Sequence, residues 1–341
     1  GGVRLEAQNV TIASKVTLTN LAENLNSANL IGTRNFLVES NGILQGGNNV
    51  YLGYPDHGFK TITNRGLISA VAPMFKADSF LSSGSIEATN GGNIVIQGGS
   101  VVISNDVAPA SLHADHFVGI YASSLFATNS KINVGITSTT VTNFIIDPDT
   151  DEVTEEYETF DEYGNGRLEL GVSGSLSDGT QSIDELPGNT NNLWRVTSGF
   201  ALTNTPSSGD LYGTEMESIA SSNNFSEIRH VWAGKDLGAD GSGFLNNAVL
   251  GRLHLNLQSP DALMRFSGSK TNQALYVNDL VIDNPLALNL TNAISIDSDF
   301  KIYYRTANVD LAALFPDQCV QYGGTIPTAA DSMMDLRVNG L

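Results

Sequence analysis

Cysteine is nearly missing from this 341-residue chain: Cys319 stands alone, which excludes an internal disulfide framework and leaves a buried thiol or an intermolecular bond. Basic residues are scarce too, 17 Lys and Arg against 36 Asp and Glu, for a formal charge of −19. Nucleic acid is therefore not an expected partner, because neutralising phosphates takes a Lys/Arg surface. Anionic membrane surfaces are set aside on the same ground. Charge of either sign is thin, 16% of residues, against roughly 25% in an average globular domain. No apolar run approaches the ~18–20 residues that a membrane-spanning helix needs. The start, Gly1-Gly2-Val3-Arg4, has no initiator Met and no basic-plus-apolar signal region, and reads as a processed chain or a piece of a longer one.

Chemical motifs are missing as well. There is no Gly-x-Ser-x-Gly elbow, no phosphate-binding Gly-x-x-x-x-Gly-Lys-Ser/Thr loop and no dinucleotide fingerprint between a strand and a helix. No catalytic residue is assigned.

What the chain does have is rhythm. Short alternating strands such as Arg252-Leu253-His254-Leu255-Asn256-Leu257, Leu275-Tyr276-Val277 and Ile294-Ser295-Ile296 recur through it. Leu253, Leu275 and Ile296 fall about one rung apart, and Leu168, Trp194 and Ile228 extend the series upstream with looser spacing. Strands returning every ~20–25 residues are how a parallel β-solenoid reads in sequence. Between them lie Asn-Gly, Gly-Gly and Ser-Gly pairs, among them Asn41-Gly42, Gly46-Gly47, Ser83-Gly84 and Gly91-Gly92. These supply the positive-φ positions of tight turns. A stack of antiparallel hairpins in a jelly roll or sandwich would use the same turns.

Three consecutive segments carry a resemblance: Asn64-Arg65-Gly66-Leu67-Ile68-Ser69-Ala70, Ser83-Gly84-Ser85-Ile86-Glu87-Ala88 and Gly92-Asn93-Ile94-Val95-Ile96. They resemble the N-x-G-x-I-x-A rungs of filamentous-haemagglutinin-like and autotransporter-passenger β-helices. Downstream, Gly199-Phe200-Ala201-Leu202, Gly209-Asp210-Leu211-Tyr212-Gly213-Thr214, Trp232-Ala233-Gly234-Lys235-Asp236, the segment 246–253 and Ala274-Leu275-Tyr276-Val277 are similar to large repetitive surface proteins of environmental bacteria. The resemblance implies an exported, β-rich surface protein and no particular reaction.

Residues 144–170 break the rhythm, with Phe144-Ile145-Ile146 running into an acidic segment. Asp147-Pro148-Asp149-Thr150-Asp151-Glu152 reads as a turn, Val153 to Phe160 as a returning strand, and Asp161 to Gly166 as a second turn. An acidic hairpin protruding from the solenoid is expected. Asp147, Asp149, Asp151 and Glu152 are the candidate ligands of a calcium ion, a hard cation that takes six to eight oxygens from Asp-rich loops. An EF-hand is rejected, because Glu152 stands where that loop needs Gly. A solvated Asx turn accounts for the same residues.

Other constellations are weaker. His113 and His116 sit among strands, where residues three apart point to opposite faces, and read as surface histidines. Asp236, Asp240 and Asp261 are possible members of a hydrolytic carboxylate pair, but nothing in their spacing selects one. Trp194 and Trp232 would suit either a sugar-stacking platform or the packed interior of rungs.

The expected protein is all-β: a right-handed parallel β-helix with rungs over 1–146, an acidic hairpin excursion at 147–166, further rungs over 167–302 and a short irregular C-terminal tail or assembly segment at 303–341. In that tail, 328–334 reads as a short capped helix and Leu336-Arg337-Val338 as a last strand. The expected function is structural and non-enzymatic: a secreted or cell-surface bacterial subunit that self-associates head to tail into a filament, sheath or surface layer. A solenoid end presents unpaired strand edges, and another copy can cover them. A carbohydrate-binding adhesin, with polysaccharide as partner, and a polysaccharide lyase or hydrolase are the alternatives. No cofactor beyond the candidate calcium is expected.

Overall fold

The computed structural model describes residues 3–20, 27–53, 58–146, 153–180, 182, 191–221, 227–283 and 289–326. Their strands form one parallel sheet of thirteen strands, a second of twelve, and a separate two-stranded antiparallel ribbon. The chain visits the large sheets in turn. Val3–Ile12 lies in the first, Thr17–Asn20 in the second, Ser27–Val38 in the first and Ile43–Gly46 in the second. The alternation continues to Ile294–Ile296 in the first and Phe300–Ala307 in the second. Parallel neighbours cannot be joined by a tight hairpin; here the connection between them runs through the other sheet.

Register explains which residues are buried. In the second sheet Leu44, Ile68, Ile86, Leu112, Ile132, Trp194, Met216, Leu253 and Leu280 are successive partners across neighbouring strands. All of them are buried. In the first sheet Leu30, Leu52, Phe75, Ile96, Ile120, Leu170 and Leu202 do the same. The inward columns of both sheets belong to one continuous apolar cluster. Each fully buried aliphatic side chain in such a column contributes about 1.5–3 kcal/mol of transfer free energy.

The segment 64–70 shows how one corner between the strands is made. Asn64 is buried, and its amide donates to Ser82 Oγ and to the Ser85 carbonyl while its own oxygen accepts from Gly66 N–H. Gly66 turns the corner, and a Cβ there would sit 2.2 Å from the Gly42 carbonyl oxygen of the rung before. At Gly84 it would sit 2.1 Å from the Gly66 oxygen. Ile68 and Ala70 then point inward and pair with Ile86 and Ala88. The motif thus encodes a corner anchor, a close backbone approach and two core positions.

Three expectations need correction. Leu253, Leu275 and Ile296 are not one column: Leu253 pairs with Leu280, Leu275 with Ile302, and Ile296 lies in the other sheet opposite Phe266. Their spacing matches the expected repeat, but the chain passes through both sheets within that length, so spacing alone cannot say which sheet a residue joins. Gly166-Arg167-Leu168-Glu169-Leu170 echoes Gly251-Arg252-Leu253-His254-Leu255 in sequence, which hints at an internal duplication, but the two lie in strands of different sheets, Arg167–Val172 and Leu250–Leu257. Finally, the hairpin begins at Ile136, not at the acidic run. Ile136–Ile146 pairs antiparallel with Val153–Tyr163 through eleven residue pairs, so Asp161 and Glu162 are strand residues rather than a turn.

After Ile302 the rung pattern does not stop at once. Phe300–Ala307 continues the second sheet and Cys319–Gln321 adds three residues to it. Leu290, Val309, Leu311 and Phe315, in and around the short helices Leu290–Ala293 and Leu311–Leu314, pack on the core at this end. The segments 328–334 and Leu336 to Val338 lie outside the described residues.

Candidate functional site

The outward face of the second sheet carries a network of paired ionisable groups. Alternation that sends Trp194, Met216 and Leu253 inward sends Arg195, Glu217 and His254 outward. Parallel register aligns Arg195 with Glu217 and His254, and aligns Glu215 with Arg252 and Asp279. Neighbouring strands lie about 4.8 Å apart, so opposite charges meet directly.

Arg195 Nε lies 2.9 Å from Glu217 Oε2, and its Nη1 lies 3.2 Å from Asp161 at the base of the ribbon. Arg252 reaches Asp279 at 2.9 Å and Glu215 at 3.3 Å. His254 lies 3.4 Å from Glu215 through Nδ1 and 2.9 Å from Asp283 through Nε2. The hydrogen bond to Glu215, followed by Asp283 and Glu217, raises the His254 pKa to about 9, so its ring is a cation at neutral pH. Ser138 and then Arg195 hold the Asp161 carboxyl below the ordinary range. Positive and negative groups here serve one another from strand to strand.

A second polar system lies inside the sheets. Trp194 Nε1 donates to Ser130 Oγ at 3.0 Å, and Ser130 Oγ donates to Asn192 Oδ1 at 2.8 Å. Asn192 Nδ2 donates to Thr214 Oγ1 at 3.1 Å, which donates to Asp178 Oδ2 at 2.9 Å. All five residues are buried. Burial pushes the Asp178 carboxyl upward against the hydrogen bonds it accepts from Thr180, Thr214 and Gly213. Nearby in the core, His230 lies between Phe200 and Phe266 with ring centroids 4.4 and 4.5 Å away. Desolvation, and secondarily Arg167, depress its pKa to about 3, so it is a neutral member of the stack.

Asp147, Asp149, Asp151 and Glu152, the candidate calcium ligands, lie outside the described residues. Among the described residues no group of three or more His, Cys, Asp or Glu is placed to hold a metal. His113, in the strand Ala110–Ala114, lies 3.9 Å from Asp115, and His116 is exposed beyond the end of that strand. Asp236 accepts from the Tyr303 hydroxyl and Gly238 N–H, Asp240 caps the turn at Gly241–Phe244, and Asp261 is exposed. Trp194 and Trp232 are both fully buried, so neither forms a sugar-stacking platform; they are core residues.

The buried thiol of Cys319 is pushed up to about 12 by desolvation. The interior polar chain from Trp194 to Asp178 was not anticipated, and no local motif marks it. Comparisons with protein-family models, with curated proteins and with solved structures find no match to this chain.

Proposed function

We propose that the two parallel sheets are walls of one β-solenoid, and that the protein is a non-enzymatic structural subunit of exported bacterial surface material. It grows end to end into a filament, sheath or layer. The observation that carries this reading is the open strand edge at one end of the stack. Val3–Ile12 pairs on one side only, with Ser27–Val38, and its other edge is unpaired among the described residues. The opposite end carries strands of only three residues, with helical turns packed on the core. A long open edge favours addition of another strand.

The chemistry supports the same reading. The outward ion pairs are spent on joining rungs, and the low charge with abundant Ser, Thr, Asn and Gly suits a secreted β-protein. The likeness to haemagglutinin-type rungs rests on the segments 64–70, 83–88 and 92–96 alone. Growth by stacking one end on another is heterologous and propagates when the rotation does not close.

Removing residues 1–6 shortens the open edge and is expected to lower the assembled fraction measured by light scattering across a concentration series. Unchanged assembly, or a parent chain that stays monomeric at every concentration, contradicts end-to-end growth.

A further inference from the structure

The antiparallel ribbon has an asymmetry that stacking does not use. Its two strands carry opposite kinds of sequence. Ile136–Ile146 has no charged residue, no Gly and no Pro, and eight of its eleven residues are β-branched. Val153–Tyr163 carries five carboxylates: Glu155, Glu156, Glu158, Asp161 and Glu162. Each strand pairs only with the other among the described residues, so each presents one open edge.

Near the base, Thr137 to Val141 and Glu158 to Phe160 are exposed, with Val141 and Phe160 at 42% and 47%. A two-stranded ribbon without a covering layer is marginal by itself. Arg195 fastens its root through Asp161, which leaves the rest to find support elsewhere.

We infer that the open edge of Ile136–Ile146 pairs with the same edge of a second copy, antiparallel and about a two-fold axis, giving a four-stranded sheet shared by two protomers. Charge selects this edge. Joining the acidic edges would bring two five-carboxylate strands within about 4.8 Å. Joining the neutral edges keeps the acidic strands on the outside, three strand spacings or about 14 Å apart. That exceeds the ~8 Å screening length at physiological ionic strength. A neutral, β-branched edge without Pro or Lys also lacks the devices that keep edges from pairing.

Full overlap of the two eleven-residue edges then fixes the register. The midpoint of Ile136–Ile146 is Val141, which meets its own copy at the axis. Unlike end stacking, this contact closes after two copies, and it stands whether or not the ends grow.

The test uses the full chain. Val141→Lys sets two ammonium groups opposite each other at the axis, yet within each ribbon it faces Glu158, so the arm keeps its own pairing. Sedimentation is expected to show dimers of the parent and a dissociation constant raised about tenfold or more in the variant, with an unchanged thermal melt. Val141→Cys is expected to form an intermolecular disulfide under mild oxidation faster than Val107→Cys, a control on an isolated turn that is 93% exposed. The Val141→Cys crosslink is expected to persist when residues 1–6 are removed, which separates this contact from end-to-end growth. A parent that sediments as a monomer, or a Val141→Cys rate no higher than that of the control, overturns the proposal.

Discussion

The stretch before the ribbon and the stretch after it build the same two sheets by different means. In the earlier part, Leu44, Ile68, Ile86, Leu112 and Ile132 follow one another at 18 to 26 residues, and the corners stack glycine on glycine. Trp194, Met216, Leu253 and Leu280 in the later part are separated by 22 to 37. The later rungs hold large and singular side chains: Trp194 with its buried polar chain, and the Phe200, His230 and Phe266 stack. The Arg–carboxylate pairs made by Arg195, Arg229, Arg252 and Arg265 all belong to the later part. The same two sheets can thus be specified by a repeated turn or by individual contacts. Repeated turns tolerate sequence drift between corners, whereas individual contacts each depend on one partner.

That contrast is sharpened most by pairing two substitutions. Trp194→Ala empties a fully buried site and leaves Ser130 without its indole donor, for an expected loss of about 3–5 kcal/mol. Gly84→Ala forces a Cβ toward the Gly66 carbonyl oxygen, at about 1–3 kcal/mol, typical of overpacking. Urea midpoints at a common m-value measure both. Equal losses, or a larger loss at Gly84, would mean that the corners rather than the singular side chains dominate stability.

A smaller effect is expected from the outward ladder. His254 has a folded pKa of about 9 against an ordinary value of 6.5. Its contribution is therefore complete below pH 6.5 and is lost as pH rises through about 9. Allowing for solvent screening at this half-buried position, the contribution is about 1–2 kcal/mol. Thermal melts between pH 6 and 10 should show a decline that is reduced in His254→Gln. The same decline in both proteins would remove His254 from the account.

Sequence and structure meet best where one residue does one local task. Asn64, Gly66, Ile68 and Ala70 are readable because a corner, a close approach and two inward positions all fall within seven residues. The buried chain from Trp194 was illegible for the opposite reason: Ser130 and Asn192 are 62 residues apart in sequence and meet only across adjacent strands. Register failed at Leu253, Leu275 and Ile296 because apolar alternation is the same in either sheet. The ribbon was visible only from its acidic strand. Ile136–Ile146 alternates like any rung, and nothing local says that its partner is antiparallel.

Cryo electron microscopy of the whole chain over a range of concentrations tests the central claim most directly. The account predicts rods that lengthen with concentration, in which the strand spacing of about 4.8 Å continues through the junction between subunits. Particles of constant length at every concentration, or junctions where that spacing is broken, would contradict it.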